Sequence, residues 1–218
     1  MRVTGGQWAG RPLAVPPGLG VRPTPDKVRQ AIFNSLGPWI EGCTVLELFA
    51  GSGALSFECL SRGASSAVCV EKSAKHASCL RKNAASLEAV VDVRVADALK
   101  AVHQFAEAGR TFDFIAADPP YGEKTAPGQR SESLAQKLLD DEVLPDLLAE
   151  DGRFLLGHTK RDAVEILEPW SEHKTLKHGD TWVRILRQGR AAGPYRWRFI
   201  ADSAATVAII GYSFSKYH

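Results

Sequence analysis

The run Phe112-Asp113-Phe114-Ile115-Ala116-Ala117 leads directly into Asp118-Pro119-Pro120-Tyr121. Residues 112–117 are apolar enough to read as a buried strand. The two prolines end it, because each fixes φ and removes a backbone donor. The exit of that strand therefore offers a carboxylate, rigidly aimed carbonyls and one aromatic face, and almost nothing that donates. Such a set suits a planar group carrying an NH2. Ligands of open α/β sheets bind beyond the carboxyl ends of the strands, and the tetrad falls at such an end.

The rest of the chain fits a sheet of this kind. Residues 44–49, 67–71, 90–95 and 112–117 read as strands, with helices over 55–60 and 75–87 and after Asp97. Downstream, 134–148 reads as a helix kinked at Pro145, 153–157 as a strand and 162–167 as a short helix. Residues 174–177 and 181–186 read as a hairpin around Gly179-Asp180. Strands alternating with helices imply an α/β fold with a doubly wound, mainly parallel sheet. Residues 1–20, rich in Gly and Pro, read as a two-stranded hairpin or extended arm. Thr24-Pro25-Asp26 then opens a helix with Thr24 as its N-cap and Val28, Ile32, Phe33 and Leu36 on its apolar face.

With 218 residues, 44% hydrophobic and 24% charged, the chain can bury the core of one α/β domain with a small appendage. The expected division is an arm and helix over 1–37, a main domain over 38–188 and a C-terminal extension over 189–218. Cys43, Cys59, Cys69 and Cys79 form no C-x-x-C pair, so they read as small core residues of a reducing compartment. Residues 1–10 lack the apolar stretch of a signal peptide, and no apolar run approaches the ~20 residues of a membrane span. The expected location is cytoplasmic, with no membrane partner. The net charge of +2 hides an asymmetry: residues 1–30 hold five basic side chains against Asp26, and 187–218 hold five against Asp202. A basic arm on an acidic body points to a polyanionic partner, although solubilising surface charge produces the same count.

Glu47-Leu48-Phe49-Ala50-Gly51-Ser52-Gly53 reads as a strand entering a glycine turn at a helix N-terminus. Gly51 and Gly53 permit close backbone approach, and free N–H groups beyond them attract an anionic part of a ligand. A dinucleotide fingerprint wants a third glycine where Ser56 stands, and the carboxylate of Glu47 repels phosphates while suiting an ammonium. Glu71, at the next strand end, can accept from both ribose hydroxyls of a nucleoside, and Asp97 can accept from an adenine amine. Each alone is as well explained as a helix cap or a surface charge. Together with Asp118 they place four carboxylates on one rim. The ligand that fits is S-adenosylmethionine, which has an ammonium, a ribose, an adenine, a positive sulfonium and no phosphate. No His/Cys/Asp spacing suggests a metal. His158, near the rim, and His103, in a helix, read as structural or exposed.

Residues 45–55, Glu71, Asp97 and 118–121 resemble the ordered motifs of class I methyltransferases, and the tetrad resembles that of enzymes methylating exocyclic amines of bases. More narrowly, Arg2 to Gly6 with Gly10-Arg11, Pro16-Pro17-Gly18-Leu19-Gly20-Val21-Arg22-Pro23-Thr24 and Val28-Arg29-Gln30-Ala31-Ile32-Phe33-Asn34 resemble the RsmD family of bacterial 16S ribosomal RNA guanine-N2 methyltransferases. The resemblance implies a Rossmann-like, mostly parallel seven-stranded sheet with an antiparallel last strand. It implies a cofactor site of Arg22, Thr24, Glu47, Phe49, Ala50, Gly51, Gly53, Glu71, Lys72, Asp97, Ala98 and Asp118. Catalysis falls to Asp118, Pro119, Pro120 and Tyr121, and RNA contact to Arg2, Arg11, Lys124 and Arg130. The implied product is S-adenosylhomocysteine. The implied partner is 16S rRNA, within a small ribosomal subunit or its assembly intermediate, met by a monomer. Tyr121 departs from the Phe of many relatives, 122–133 is unusually basic, and 191–218 extends beyond the family pattern.

The N2 of guanine is a weak nucleophile because its lone pair is delocalised into the ring. Asp118 and the Pro119 carbonyl are expected to accept its two hydrogens, and Tyr121 to stack on the base. The base must be single-stranded or flipped out. Adenine or cytosine in DNA, another RNA and a glutamine side chain offer the same planar NH2, so the tetrad alone leaves them open. A non-catalytic RNA-binding module is the alternative of another class.

Overall fold

The computed structural model describes residues 1–16, 24–120 and 130–189. Seven strands form one sheet: β1 Thr44–Leu48, β2 Ser66–Glu71, β3 Asp92–Val95, β4 Phe112–Ala117, β5 Leu148–Thr159, β6 Trp170–His178 and β7 Thr181–Gln188. Their order is β3-β2-β1-β4-β5-β7-β6. β1 to β5 pair in parallel, while β7 runs antiparallel between β5 and β6. The mostly parallel sheet with an antiparallel last strand is the one the resemblance implies.

Period-two alternation sends neighbouring strand residues to opposite faces. Leu46, Leu48, Ile115 and Leu156 pack under α4 (Ala98–Glu107) and α5 (Leu134–Leu139). Val45, Phe114, Ala116 and Leu155 pack under α1 (Asp26–Leu36) and α2 (Ala54–Ser61). A smaller cluster joins Val3 and Leu13 of the arm to Phe57 of α2 and to Leu80 of α3 (Ala74–Leu87). The arm is a hairpin with one antiparallel bridge, Arg2 to Pro12. The strand order reverses between β1 and β4, which makes a switch-point crevice at their carboxyl ends.

Three local expectations are corrected. α1 starts at Asp26 with Pro25 at its N-cap position and no side-chain cap, so Thr24 is not the cap; its hydroxyl is used elsewhere. The helix expected over 134–148 stops at Leu139, and a separate 3-10 turn follows at Leu144–Leu147. There the Asp141 carboxylate takes the backbone N–H groups of Val143 (2.9 Å) and Leu144 (2.8 Å), a local competitor to helical bonding. Residues 162–167 form no helix. Gln136 replaces helical bonding by accepting from the Glu165 N–H (2.7 Å) and donating to the Glu165 carbonyl (3.2 Å).

Candidate active site

Four strand ends converge on a cleft of about 460 Å3, lined among others by Thr24, Glu47, Phe49, Ala50, Gly51, Glu71, Lys72, Asp97, Ala98, Asp118, Pro119 and Pro120. Leu48 pairs with Val70 and Ala117, and Glu71 with Val95, so the four exits share one rim. All four carboxylates expected there line this one cleft.

Each carboxylate also has a structural partner. Glu47 is almost fully buried and accepts from the N–H groups of Leu55 (3.3 Å) and Ser56 (2.9 Å), in the first turn of α2. Loss of water pushes its carboxyl up to about 7, with the Ser56 hydrogen bonds opposing. Glu71 accepts from Gly51 N–H and from Ser73 N–H, both at 2.8 Å, and so ties the glycine turn to the start of α3. Of the N–H groups beyond the glycines, expected to be free for a ligand anion, those of Leu55 and Ser56 are thus taken by Glu47; within the turn Gly51 N–H goes to Glu71 and Gly53 N–H donates to the Ala50 carbonyl at 2.7 Å. Gly53 has φ +77°, and a Cβ there would meet the Phe57 ring at 2.8 Å and Leu80 at 2.9 Å, so glycine is required. Asp97 caps α4 and receives Lys72 Nζ at 3.1 Å, and that hydrogen bond leads in holding its carboxyl low.

Asp118 is placed differently. It leaves β4 beside Pro119, and its Oδ2 accepts from the Thr24 hydroxyl at 2.6 Å. Burial raises its carboxyl above the ordinary range, and the Thr24 bond works against that rise. On its other side lies Gly157 of β5, where a Cβ would stand 2.4 Å from Asp118 Oδ1.

Several cleft residues escaped the sequence reading, among them Ser73, His76, Leu99 and Leu134. The available signal was position: Ser73 and His76 begin α3 just after Glu71, and Leu99 sits two residues beyond Asp97. Arg29 was missed as well. It is fully buried, donates through Nη1 to the Thr24 carbonyl (2.6 Å), and through Nη2 to Asp26 (2.8 Å) and the Arg2 carbonyl. Its Nε lies 3.5 Å from buried Glu58, an ionic contact short of a hydrogen bond, and Glu58 accepts from Thr4 N–H at 2.6 Å. Arg29 thus fastens the arm, Thr24 and α2 together.

The residues expected at RNA are dispersed. Arg2 Nε stands 3.7 Å from Asp26, and Arg11 donates to the Ser86 carbonyl. Arg130 pairs with Asp140 (2.6 Å) and Glu165 (3.2 Å), so its charge is already answered within the chain. Arg22, Tyr121 and Lys124 lie outside the described residues, as do 190–218. His158 is buried, with Nε2 accepting from Arg184 at 2.9 Å and Nδ1 against the Thr159 carbonyl at 2.9 Å. His103 is exposed and 3.1 Å from Asp141. Among the described residues, no group of three His, Cys, Asp or Glu could hold a metal.

The profile of the family described as "Conserved hypothetical protein 95" matches residues 1–187. The chain belongs to that family. It is 37% identical over 170 residues to the Bacillus subtilis (strain 168) protein named "Putative rRNA methyltransferase YlbH", covering 77% of this chain and 86% of that one. It is 42% identical over 121 residues to Ribosomal RNA small subunit methyltransferase D of Escherichia coli (strain K12), covering 56% of this chain and 60% of the relative. The structure titled "Putative methyltransferase yhhF from Escherichia coli" superposes with a TM-score of 0.71 at 32% identity, over 87% of this chain and 98% of that one. The RsmD resemblance read from the arm and the tetrad is borne out.

Proposed function

We propose that this protein transfers a methyl group from S-adenosylmethionine to the exocyclic N2 amine of a guanine in 16S ribosomal RNA. The observation that carries the reading is Asp118, fixed by Thr24 at the mouth of a cleft whose other charged walls are Glu47, Glu71 and Asp97. The donor set fits the cofactor: three carboxylates suit an ammonium and ribose hydroxyls, and the cleft's lysine, Lys72, is held by Asp97, leaving little to attract phosphate. A volume of about 460 Å3 lies in the usual range of small-molecule sites, roughly 300–1,000 Å3. Glu71 and Asp97 would face the nucleoside, Glu47 the ammonium end, and the turn from Phe49 to Gly53 the chain between them. When bound, the cofactor supplies a methyl group on a positively charged sulfur.

The chain's own part is to position and to accept. Asp118 and the Pro119 carbonyl take the two hydrogens of the amine, which orients the nitrogen and draws its lone pair out of conjugation. Asp118 then holds the released proton at its carboxylate. Pro119 and Pro120 keep that geometry rigid, and Tyr121 stacks on the base, which enters single-stranded or flipped. Arm and helix over 1–37 act as one recognition unit, with Arg2 and Arg11 near phosphates and with Lys124 and Arg130 as further RNA contacts. The monomer meets its RNA in the small subunit or an assembly intermediate, in the cytoplasm.

The test offers isotopically labelled cofactor with small subunits, free 16S RNA or DNA from cells lacking the activity. Label in small-subunit RNA supports the reading. Label confined to DNA or protein overturns it.

A further inference from the structure

The β6–β7 hairpin carries positive charge that the cleft does not use. β5 leaves the sheet beside β4, with Leu156 paired to Ala117, and β7 runs back along β5 from Thr181 opposite Thr159. The Gly179-Asp180 turn therefore projects from the same rim as Asp118. Lys160 N–H donates to the Asp180 carbonyl at 2.7 Å and fastens the exit of β5 to that turn. β7 and β6 lie two and three strand spacings from β4, roughly 10 and 14 Å. A strand of nucleic acid with one base at Asp118 would cross this hairpin within a few nucleotides.

The hairpin's side chains are arranged for charge display. Lys177, Trp182 and His158 stand opposite one another across β6, β7 and β5, hence on one sheet face. Lys177 Nζ lies 4.3 Å from the centre of the Trp182 ring. The buried His158 ring braces the indole edge-on at 6.0 Å. Arg184, 5.6 Å from the same ring, is neutralised by Glu172 and held by His158. Trp182 is thus a fixed platform that holds the Lys177 ammonium without cancelling its charge. Lys160 and Lys177 are exposed and make no ion pair among the described residues, and Arg161 reaches Asp180 only at 3.9 Å. Asp180 of the turn and Glu172, which is held by Arg184, are the carboxylates beside these cations.

We propose that this hairpin tip docks the phosphate backbone of the RNA flanking the target guanine, with Lys160 and Lys177 as phosphate contacts and Trp182 positioning Lys177. The inference rests on the reading that the acceptor is RNA. Ammonium groups are point charges that grip phosphate without reading bases, so the hairpin sets register and affinity while the cleft selects the base. The arm lies on the side of α1 and α2, so this contact is separate from those of Arg2 and Arg11.

The test is binding of a naked small-subunit RNA fragment across a salt series, together with steady-state methylation of it, for the unaltered protein and the Lys160→Ala/Lys177→Ala variant. Removing one phosphate-gripping cation makes the log–log salt slope shallower by about 0.7–0.9. With both removed, the slope is expected to become shallower by about 1.5 and KM for RNA to rise several-fold, with a smaller change in kcat and unchanged cofactor affinity. Lys82→Ala, on α3 across the sheet, is expected to leave the slope alone. An unchanged slope and KM in the double variant overturns the proposal. So does an equal change in Lys82→Ala, which would mean that net charge alone matters, or an effect seen only with protein-containing particles, which would mean docking on protein. If the unaltered protein methylates neither the naked fragment nor RNA within undermethylated small subunits, the proposed function itself fails. If it methylates either and the double variant behaves as the unaltered protein, only the hairpin inference fails.

Discussion

Asp118 sits where water is scarce and one hydroxyl opposes the resulting rise in its pKa. To accept amine hydrogens and then a proton, it must begin ionised. Burial raises its pKa, and the Thr24 hydroxyl, 2.6 Å away, lowers it. Thr24→Val removes the lowering partner, so the pKa climbs further and the acid limb of the kcat/KM profile moves to higher pH; Thr24→Ser keeps the limb in place. Asp118→Asn keeps the shape and removes the base. It should cost about 10²–10⁴-fold in turnover, while calorimetry with S-adenosylmethionine finds affinity little changed. Loss of cofactor binding in that variant would mean the residue's role is misplaced.

Glu47 makes a prediction in stability. Its carboxyl stands at about 7 in the folded protein against an ordinary 4.5, so the protonated form is favoured by folding. That contribution is fully present below 4.5 and is lost as pH rises through 7, a change of about 3 kcal/mol at most. Glu47→Gln should flatten the fall of unfolding free energy between those pH values, measured by denaturant titration. An equally steep fall in the variant would contradict the assignment.

Among elements, α1 owes its place to charge as much as to its apolar face. Arg29, inside that helix, contacts the arm, the Thr24 carbonyl and Glu58 of α2. Truncating one partner of a buried pair typically costs about 3–5 kcal/mol. Arg29→Ala is expected to destabilise by that order in chemical denaturation and to loosen Thr24, so that the acid limb shifts as it does in Thr24→Val. The central strands, the glycine turn and the Asp118-Pro119-Pro120 strand exit were legible in the sequence because local patterning decides them: apolar runs, glycines and prolines. The segment 134–167 was not, because distant groups decide it. Asp141 ends one helix, and Gln136 satisfies the backbone of Glu165, 29 residues away, in place of a second helix. Thr24 was read as a cap for the same reason, since its true partner lies 94 residues downstream. The carboxylate rim was legible as a pattern, but its division of labour was not: only the folded chain shows Glu47 on the first turn of α2 and Glu71 on Gly51.

For the whole molecule, the order β3-β2-β1-β4-β5-β7-β6 sets the cleft at the β1/β4 reversal and the basic hairpin along the same rim. The base-receiving cleft and the proposed backbone-gripping edge are then parts of one surface, with the arm held against α1 and α2 by Arg29 and Glu58. The direct test of the central reading is nucleoside analysis of 16S RNA after incubation of undermethylated small subunits with the protein and labelled S-adenosylmethionine. Label recovered as N2-methylguanosine, and absent with Asp118→Asn, is the predicted result; label in adenine, in DNA or in protein, or equal labelling by the variant, would contradict it.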